Sequence, residues 1–181
     1  VTADAIALTG TTYATDAATD STITMTGPVT VGDDTDMTAS TVTFTTTLDS
    51  SGVSDVSDLH TLDITGDAVF GGAVGATDKL GSLTVSGMSS IDGGSVRTSG
   101  LQKYSSDVTL GQNTTLTSLS SGAIEFGAKL DGAFTLAVNT AGVTTFGGAV
   151  GSVGTSLVSL TTDAVGSTVI NGGSIKTSDA T

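Results

Sequence analysis

The chain of 181 residues contains no Cys, no Trp, one Pro and one Glu (Glu125), and aromatic residues make up only 4% of it. The absence of Cys excludes disulfides and thiolate metal sites. Because long polar side chains are scarce, no segment offers the polar outer face that a surface helix requires. Sandwich and barrel cores usually rely on large aromatic side chains, which are scarce here as well.

What the chain does contain favours strands. About one residue in five is Thr, and Val is also frequent; both are β-branched and suit a pleated sheet. The 25 Gly residues and the many Ser residues are typical of turns. A disordered linker is excluded because Val, Leu, Ile and Phe recur at short, regular intervals. The composition therefore predicts an all-β protein.

The charge is strongly one-sided, with 18 acidic and 5 basic residues and a net charge of −13. Seventeen of the acidic residues are Asp, a turn former, so we expect most of the charge at corners between strands. Such acidity argues against nucleic acid and anionic membranes as partners. No signal peptide or membrane-spanning apolar run is visible, and since the chain begins at Val1 we expect a mature product or an internal fragment.

The main signal is an internal repeat. Several blocks return later in the chain after 76 to 82 residues. They are Phe70–Gly75 as Phe146–Gly151, Gly93–Ser99 as Gly172–Ser178, Val29–Gly32 as Val108–Gly111, Val42–Phe44 as Ile124–Phe126, and Leu48–Asp49 as Leu130–Asp131. Apolar positions stay apolar between the copies, while the connecting residues vary in length. This pattern predicts one β-helical segment over residues 1–181, with repeats at approximately 25–99 and 104–178.

Within a copy the strands are short and alternate between apolar and polar residues. Val108–Leu110 and Thr115–Leu119 are examples, with the turn residues Gly111–Asn113 between them. A β-solenoid accommodates many such strands and a long internal duplication better than a sandwich or a barrel does. With turns of about 20 residues, we predict a parallel β-helix of roughly nine rungs, about four to each repeat.

The run Val108–Leu116, the two Phe-Gly-Gly-Ala-Val-Gly blocks and Gly93–Gly100 resemble degenerate repeats of very large bacterial exoproteins. The families concerned are the filamentous haemagglutinin-like and autotransporter-like adhesins. The resemblance covers most of residues 25–181. Tyr13, which precedes that range, corresponds to Tyr104 within it. It implies a right-handed parallel β-helix, export through an outer-membrane pore, and a role as a stalk or adhesive surface.

Asp33, Asp34 and Asp36 form the densest carboxylate cluster and are the candidate site for Ca²⁺, the only cofactor considered. In the second copy the aligned residues are Gln112, Asn113 and Thr115, which carry no charge. The calcium-binding nonapeptide of β-helical proteins is also absent. A solvated turn is therefore favoured over a metal site.

Catalytic groups are sparse. His60, the only histidine, lies near Asp55 and Asp58, but Ser and Asp are so common here that this proximity is expected by chance. A carbohydrate-active β-helix needs clustered acids with a basic residue, and the chain has a single arginine, Arg97. The only tyrosines available for sugar stacking are Tyr13 and Tyr104. We predict that the protein is not an enzyme and has no catalytic residues.

We therefore expect a structural or adhesive β-helical repeat module of a secreted bacterial cell-surface exoprotein or extracellular fibre. The alternatives are a self-assembling filament or surface-layer subunit and, less favoured, a carbohydrate-active β-helix enzyme. The expected partners are further repeats of the same chain or identical subunits, together with host or matrix glycans or proteins. Neither nucleic acid nor membrane insertion is expected.

Overall fold

The computed structural model describes residues 1–15, 20–52, 59–152 and 155–178, and these form a parallel β-solenoid. The predicted all-β fold and parallel β-helix are confirmed. In the described residues there is no helix of the length and apolarity needed to cross a membrane. The strands are β1 Ile6–Leu8, β2 Thr12–Ala14, β3 Thr22–Met25, β4 Val29–Val31, β5 Thr35–Phe44, β6 Leu48–Ser50, β7 Leu62–Phe70, β8 Leu83–Val85, β9 Ser89–Ile91, β10 Ser95–Thr98, β11 Gln102–Tyr104, β12 Val108–Leu110, β13 Thr114–Ser118, β14 Ile124–Phe126, β15 Leu130–Asp131, β16 Thr135–Thr140, β17 Val143–Phe146, β18 Ser159–Thr162 and β19 Ser167–Ile170.

The solenoid has three faces, which the chain visits in a fixed order, and equivalent residues of successive turns pair in register. The inward column of face 1 is Tyr13, Met37, Ile64, Val85, Tyr104, Phe126, Phe146 and Ile170. The column of face 2 is Ile23, Val42, Ala68, Ser89, Val108, Leu130, Val150 and Ile175. The column of face 3 is Ile6, Val29, Leu48, Val74, Val96, Leu116, Val138 and Thr162.

The number of turns differs from the prediction. About seven turns are formed, not roughly nine. From Tyr13 to Ile170 the column of face 1 takes seven steps, which is about 22 residues a turn rather than 20. The excess lies in long corners: the step from Leu48 to Val74 spans 26 residues, whereas that from Val29 to Leu48 spans 19.

The core is a set of ladders in which like residues stack on like residues. The rings of Phe44 and Phe70 lie parallel with centroids 5.8 Å apart inside the solenoid. A second stack runs from Tyr104 through Phe126 to Phe146, with centroid separations of 5.6 and 5.2 Å. These five rings are fully buried or nearly so. The scarce aromatic residues are therefore concentrated in two columns, where each ring covers the next.

Two equivalent corners require glycine. Gly75 and Gly151 have φ values of +66° and +67°, a conformation in which other residues are strained. A Cβ at Gly75 would lie 2.2 Å from the carbonyl oxygen of Arg97, and one at Gly151 would lie 2.2 Å from that of Lys176. The next turn therefore approaches too closely for any side chain at these corners.

Replacing Phe126 with Ala removes the middle ring of the three-ring stack and leaves a cavity between Tyr104 and Phe146. We expect a loss of about 3–5 kcal/mol in the free energy of unfolding, measured by urea denaturation. Phe134→Ala is the matched control, because the Phe134 ring is only partly buried against the core. Its removal should lower the free energy of unfolding clearly less. Equal losses from the two substitutions would contradict the importance of the stack.

Candidate functional site

The acidic cluster predicted as a cation site lies at the corner between faces 3 and 1. Asp33, Asp34 and Asp36 are all exposed. Asp34 Oδ1 accepts a hydrogen bond from the backbone N–H of Thr61, one turn further on, at 2.8 Å. Thr35 Oγ1, buried at the same corner, donates to the carbonyl of Asp33 at 2.8 Å. Within the described ranges, no three His, Asp or Glu side chains form a group that could hold a metal ion.

The equivalent corner of the second repeat has the same bonds without the charges. Asn113 Oδ1 accepts from the backbone N–H of Thr135 at 3.0 Å, as Asp34 does from Thr61. Thr114 Oγ1 donates to the carbonyl of Gln112 at 2.9 Å, as Thr35 does to that of Asp33. The corner therefore requires a hydrogen-bond acceptor, which Asp and Asn both provide. This requirement accounts for the acceptor side chain at position 34.

Bonds of this kind link successive turns throughout the solenoid. In each, a side-chain oxygen of Asp or Asn accepts a backbone N–H from the turn above, 21 to 28 residues later. Besides the two corners already described, the pairs are Asp49 to Thr77 at 2.9 Å, Asp67 to Met88 at 2.8 Å, Asp107 to Lys129 at 3.1 Å and Asp131 to Ser152 at 2.5 Å. Since corner residues lack regular strand partners, these side chains satisfy backbone groups that would otherwise depend on water.

Asp131 makes the most extensive of these contacts. Its Oδ1 accepts the backbone N–H of Ser152, and its Oδ2 accepts the Ser152 hydroxyl at 2.6 Å. Partial desolvation acts to raise the pKa of Asp131, but hydrogen bonds from Ser152 and Thr155 and the charge of Lys129 outweigh it, so the pKa is lowered. The folded state therefore favours the ionised carboxylate at this corner.

The residues considered for carbohydrate chemistry are not brought together. Arg97, on face 3, donates from Nη1 to the backbone carbonyls of Ala76 at 2.8 Å and Gly75 at 3.3 Å. Tyr104 is fully buried, and burial raises the pKa of its phenol. Asp36 and Asp63 lie side by side in register, but both are exposed on the outside of face 1. This carboxylate pair is therefore on the opposite side of a corner from the only arginine.

The proposed histidine grouping is only partly visible. His60 is half-buried, and its backbone N–H donates to Ser50 Oγ at 3.2 Å. Asp55 and Asp58 lie outside the described residues. The hydrogen bond to Ser50 positions the chain just before β7, whose first residues lie on face 1.

A buried polar cluster was not anticipated from the sequence. Gln102 is fully buried on face 1, and its Nε2 donates to the carbonyl of Thr117 at 2.9 Å and to Thr98 Oγ1 at 3.2 Å. Its Oε1 accepts the hydroxyl of Tyr104 at 3.3 Å. Both polar residues are thus satisfied by protein groups and not by a ligand, which is the usual arrangement for a structural cluster.

The two concavities described are shallow and differ in character. One, of about 380 Å³, lies at the N-terminal end and is lined mainly by apolar residues, among them Ile6, Leu8 and Tyr13. The other, of about 430 Å³, lies on the outside of face 2 beside Asp67 and Met88. Asp67 is already bonded to the backbone of Met88. Neither concavity therefore gathers the convergent polar groups typical of a small-molecule site.

We predict that Asp131→Ala lowers the free energy of unfolding by about 1 kcal/mol, because the N–H of Ser152 loses its acceptor. Asp131→Asn keeps an acceptor and should cost less. Asp63→Asn, at an exposed position beside Asp36, is the control and should change stability by less than about 0.5 kcal/mol. Chemical denaturation at pH 7 measures all three.

The pH dependence follows from the lowered pKa of Asp131. The ionised carboxylate stabilises the fold above the pKa that it has in the unfolded chain, and that contribution is lost as the pH falls through the lower folded value. The melting temperature should therefore decrease on acidification below about pH 4, and it should decrease less in Asp131→Asn. The same slope in both proteins would show that the carboxylate is not linked to stability.

Comparison with protein-family models, curated proteins and solved structures finds no match to this chain.

Proposed function

We propose that this chain is a structural or adhesive β-helical module of a secreted bacterial cell-surface exoprotein or extracellular fibre. The observation that carries the proposal is the unbroken register of the three columns from the first turn to the last. One chain thereby forms a rod whose every turn bonds to its neighbours. Seven turns at about 4.8 Å each give a length of about 34 Å.

The exterior is suited to extracellular display. Outward positions carry small hydroxyl side chains and Asp, and five of the 18 acidic side chains accept hydrogen bonds that join successive turns. A net charge of −13 keeps such a rod soluble and discourages nonspecific association with other acidic surfaces. The resemblance to haemagglutinin-like and autotransporter-like repeats supports the same location. Host or matrix glycans and proteins are the ligands we propose for an adhesive face.

The carbohydrate-active alternative is less well supported. The carboxylates of Asp36 and Asp63 stand on an exposed strand surface, whereas such enzymes place their acids in a groove around the substrate. Arg97 is engaged by two backbone carbonyls one turn below. We therefore propose a non-enzymatic role.

Antibodies raised against the purified chain test the proposed location. Intact cells of the producing bacterium should bind the antibody, and protease added outside should remove the signal without releasing a cytoplasmic marker protein. Labelling that requires permeabilised cells would overturn the surface assignment. Binding of the purified chain to immobilised matrix proteins and glycans then separates an adhesive role from a purely structural one.

A specific observation favours the filament or surface-layer alternative. At the C-terminal end Ile170 and Ile175 are 53% and 37% exposed, although their register partners one turn earlier, Phe146 and Val150, are buried. Strands β18 and β19 each bond to one neighbour, β16 and β17, and the N-terminal end offers the apolar concavity described above. Further repeats of the same chain or identical subunits, added head to tail, would continue the parallel strands.

Association through the ends is measurable on residues 1–181. We predict concentration-dependent oligomers in light scattering. Because each column has eight levels, linear particles in electron micrographs should be about 38 Å longer for each added subunit. Ile170→Asp should reduce this association by at least about tenfold, since it places a charge on the stacking surface. Met88→Asp is the control, because Met88 is 55% exposed on the side of the rod. Equal effects of the two substitutions would contradict association through the ends.

A further inference from the structure

The two sequence repeats do not occupy the same faces. Phe44 and Phe70 stack inside face 2, whereas their counterparts Phe126 and Phe146 stack inside face 1. Leu48 lies on face 3, and its counterpart Leu130 lies on face 2. Each residue of the second repeat is therefore one face behind its equivalent in the first.

The displacement follows from the number of strand positions in a repeat. Between Leu48 and Leu130 the chain advances by eleven positions on the three faces, which is three and two-thirds turns rather than four. The other equivalent pairs, Val29 with Val108 and Val96 with Ile175, differ by the same amount. The repeat length is thus a whole number of strand positions and not a whole number of turns.

Local structure is nevertheless reproduced in detail. Gly94 and Gly173 have φ values of +71° and +73°, which match as closely as those of Gly75 and Gly151. Asp49 on face 3 accepts an N–H from the loop above it, and its counterpart Asp131 does the same on face 2. The bonds at Thr35 and Thr114 are likewise equivalent although they occupy different corners. The conformation of a strand and its corner therefore follows from its own residues and those one turn below.

We infer that the three faces of this solenoid are interchangeable and that the 79-residue repeat is a cassette of eleven strand positions that can be added or removed. Each cassette turns the surface it carries by one third of a turn. The physical basis is that a strand meets the same surroundings on every face, namely a parallel neighbour above and below and an apolar interior. The cassette needs its equivalent neighbours, but it does not need a particular face.

The outer surface of the repeat changes face in the same way. Arg97 points outward from face 3, whereas its counterpart Lys176 belongs to face 2, about 17–18 Å further along the axis. A partner that recognises the outside of the cassette therefore meets it on a different side of the rod in each copy. Three cassettes in series would present it on all three sides, which suits a rod that binds neighbours from several directions.

An insertion tests the inference on the whole chain. A second copy of residues 71–146 is placed directly after Phe146, so that Gly71 again follows a Phe of the stack. We expect the elongated protein to keep a single cooperative transition, with a melting temperature within about 5 °C of the parent or higher. We also expect the β-sheet signal per residue to be unchanged. A protease-sensitive insert or a lost transition would overturn the inference.

A deletion tests the change of face directly. Removing residues 71–146 joins Phe70 to Gly147 and should place Ser152 above Asp49, in the position that it now holds above Asp131. Because the chain has no Cys, Asp49→Cys with Ser152→Cys gives a clean probe. We expect an intramolecular disulfide in the deletion variant and none in the full chain carrying the same two substitutions.

The matched control removes residues 75–138, which joins two positions of face 3 and takes out three whole turns. Every remaining residue then keeps its face, but the residues on either side of the junction acquire non-equivalent neighbours. The inference predicts that this variant is less stable than the variant lacking 71–146. The opposite order, or failure of the disulfide to form in a folded deletion variant, would show that face identity matters. If neither deletion variant folds, the insertion decides alone.

Discussion

The structure depends on the register of parallel strands, which sets each residue directly above its counterpart one turn earlier at about 4.8 Å. Backbone bonds fix that spacing, and the side chains must be compatible with it. Like residues therefore collect in columns, as Phe126 does between Tyr104 and Phe146. Flat rings and branched aliphatic chains tolerate such stacking, which explains how a core with so few aromatic residues can be fully packed.

The corners meet a second constraint, because their backbone groups lack regular strand partners. Asp and Asn solve it by accepting an N–H from the turn above, and Asp131 shows that the charged form is the favoured one where several donors converge. The replacement of Asp34 by Asn113 in the second repeat shows that acceptance is the common requirement. Five of the 18 acidic residues of the chain thus join one turn to the next.

Alternation of apolar and polar residues was sufficient to predict short strands with one inward side. The long internal duplication and the scarcity of aromatic residues then favoured a parallel solenoid over a sandwich or a barrel. The number of turns was not predictable in the same way. It depends on corner lengths, such as the long connection from Leu48 to Leu62, that no period reveals. The buried pair Gln102 and Tyr104 was missed because its partners Thr98 and Thr117 become neighbours only when the register is known.

If strands are not tied to one face, a duplication can insert eleven strand positions, which is three and two-thirds turns. It does not need the twelve positions that would make four whole turns. A strand that carries its own alternation and corner residues needs an apolar interior and a matching turn below it, and any face supplies both. A duplication that kept the faces aligned would repeat one outer surface along a single side of the rod. The displacement by one face distributes that surface around the axis instead. A partner could therefore bind a longer array of such repeats from all sides of the rod and not from one side alone.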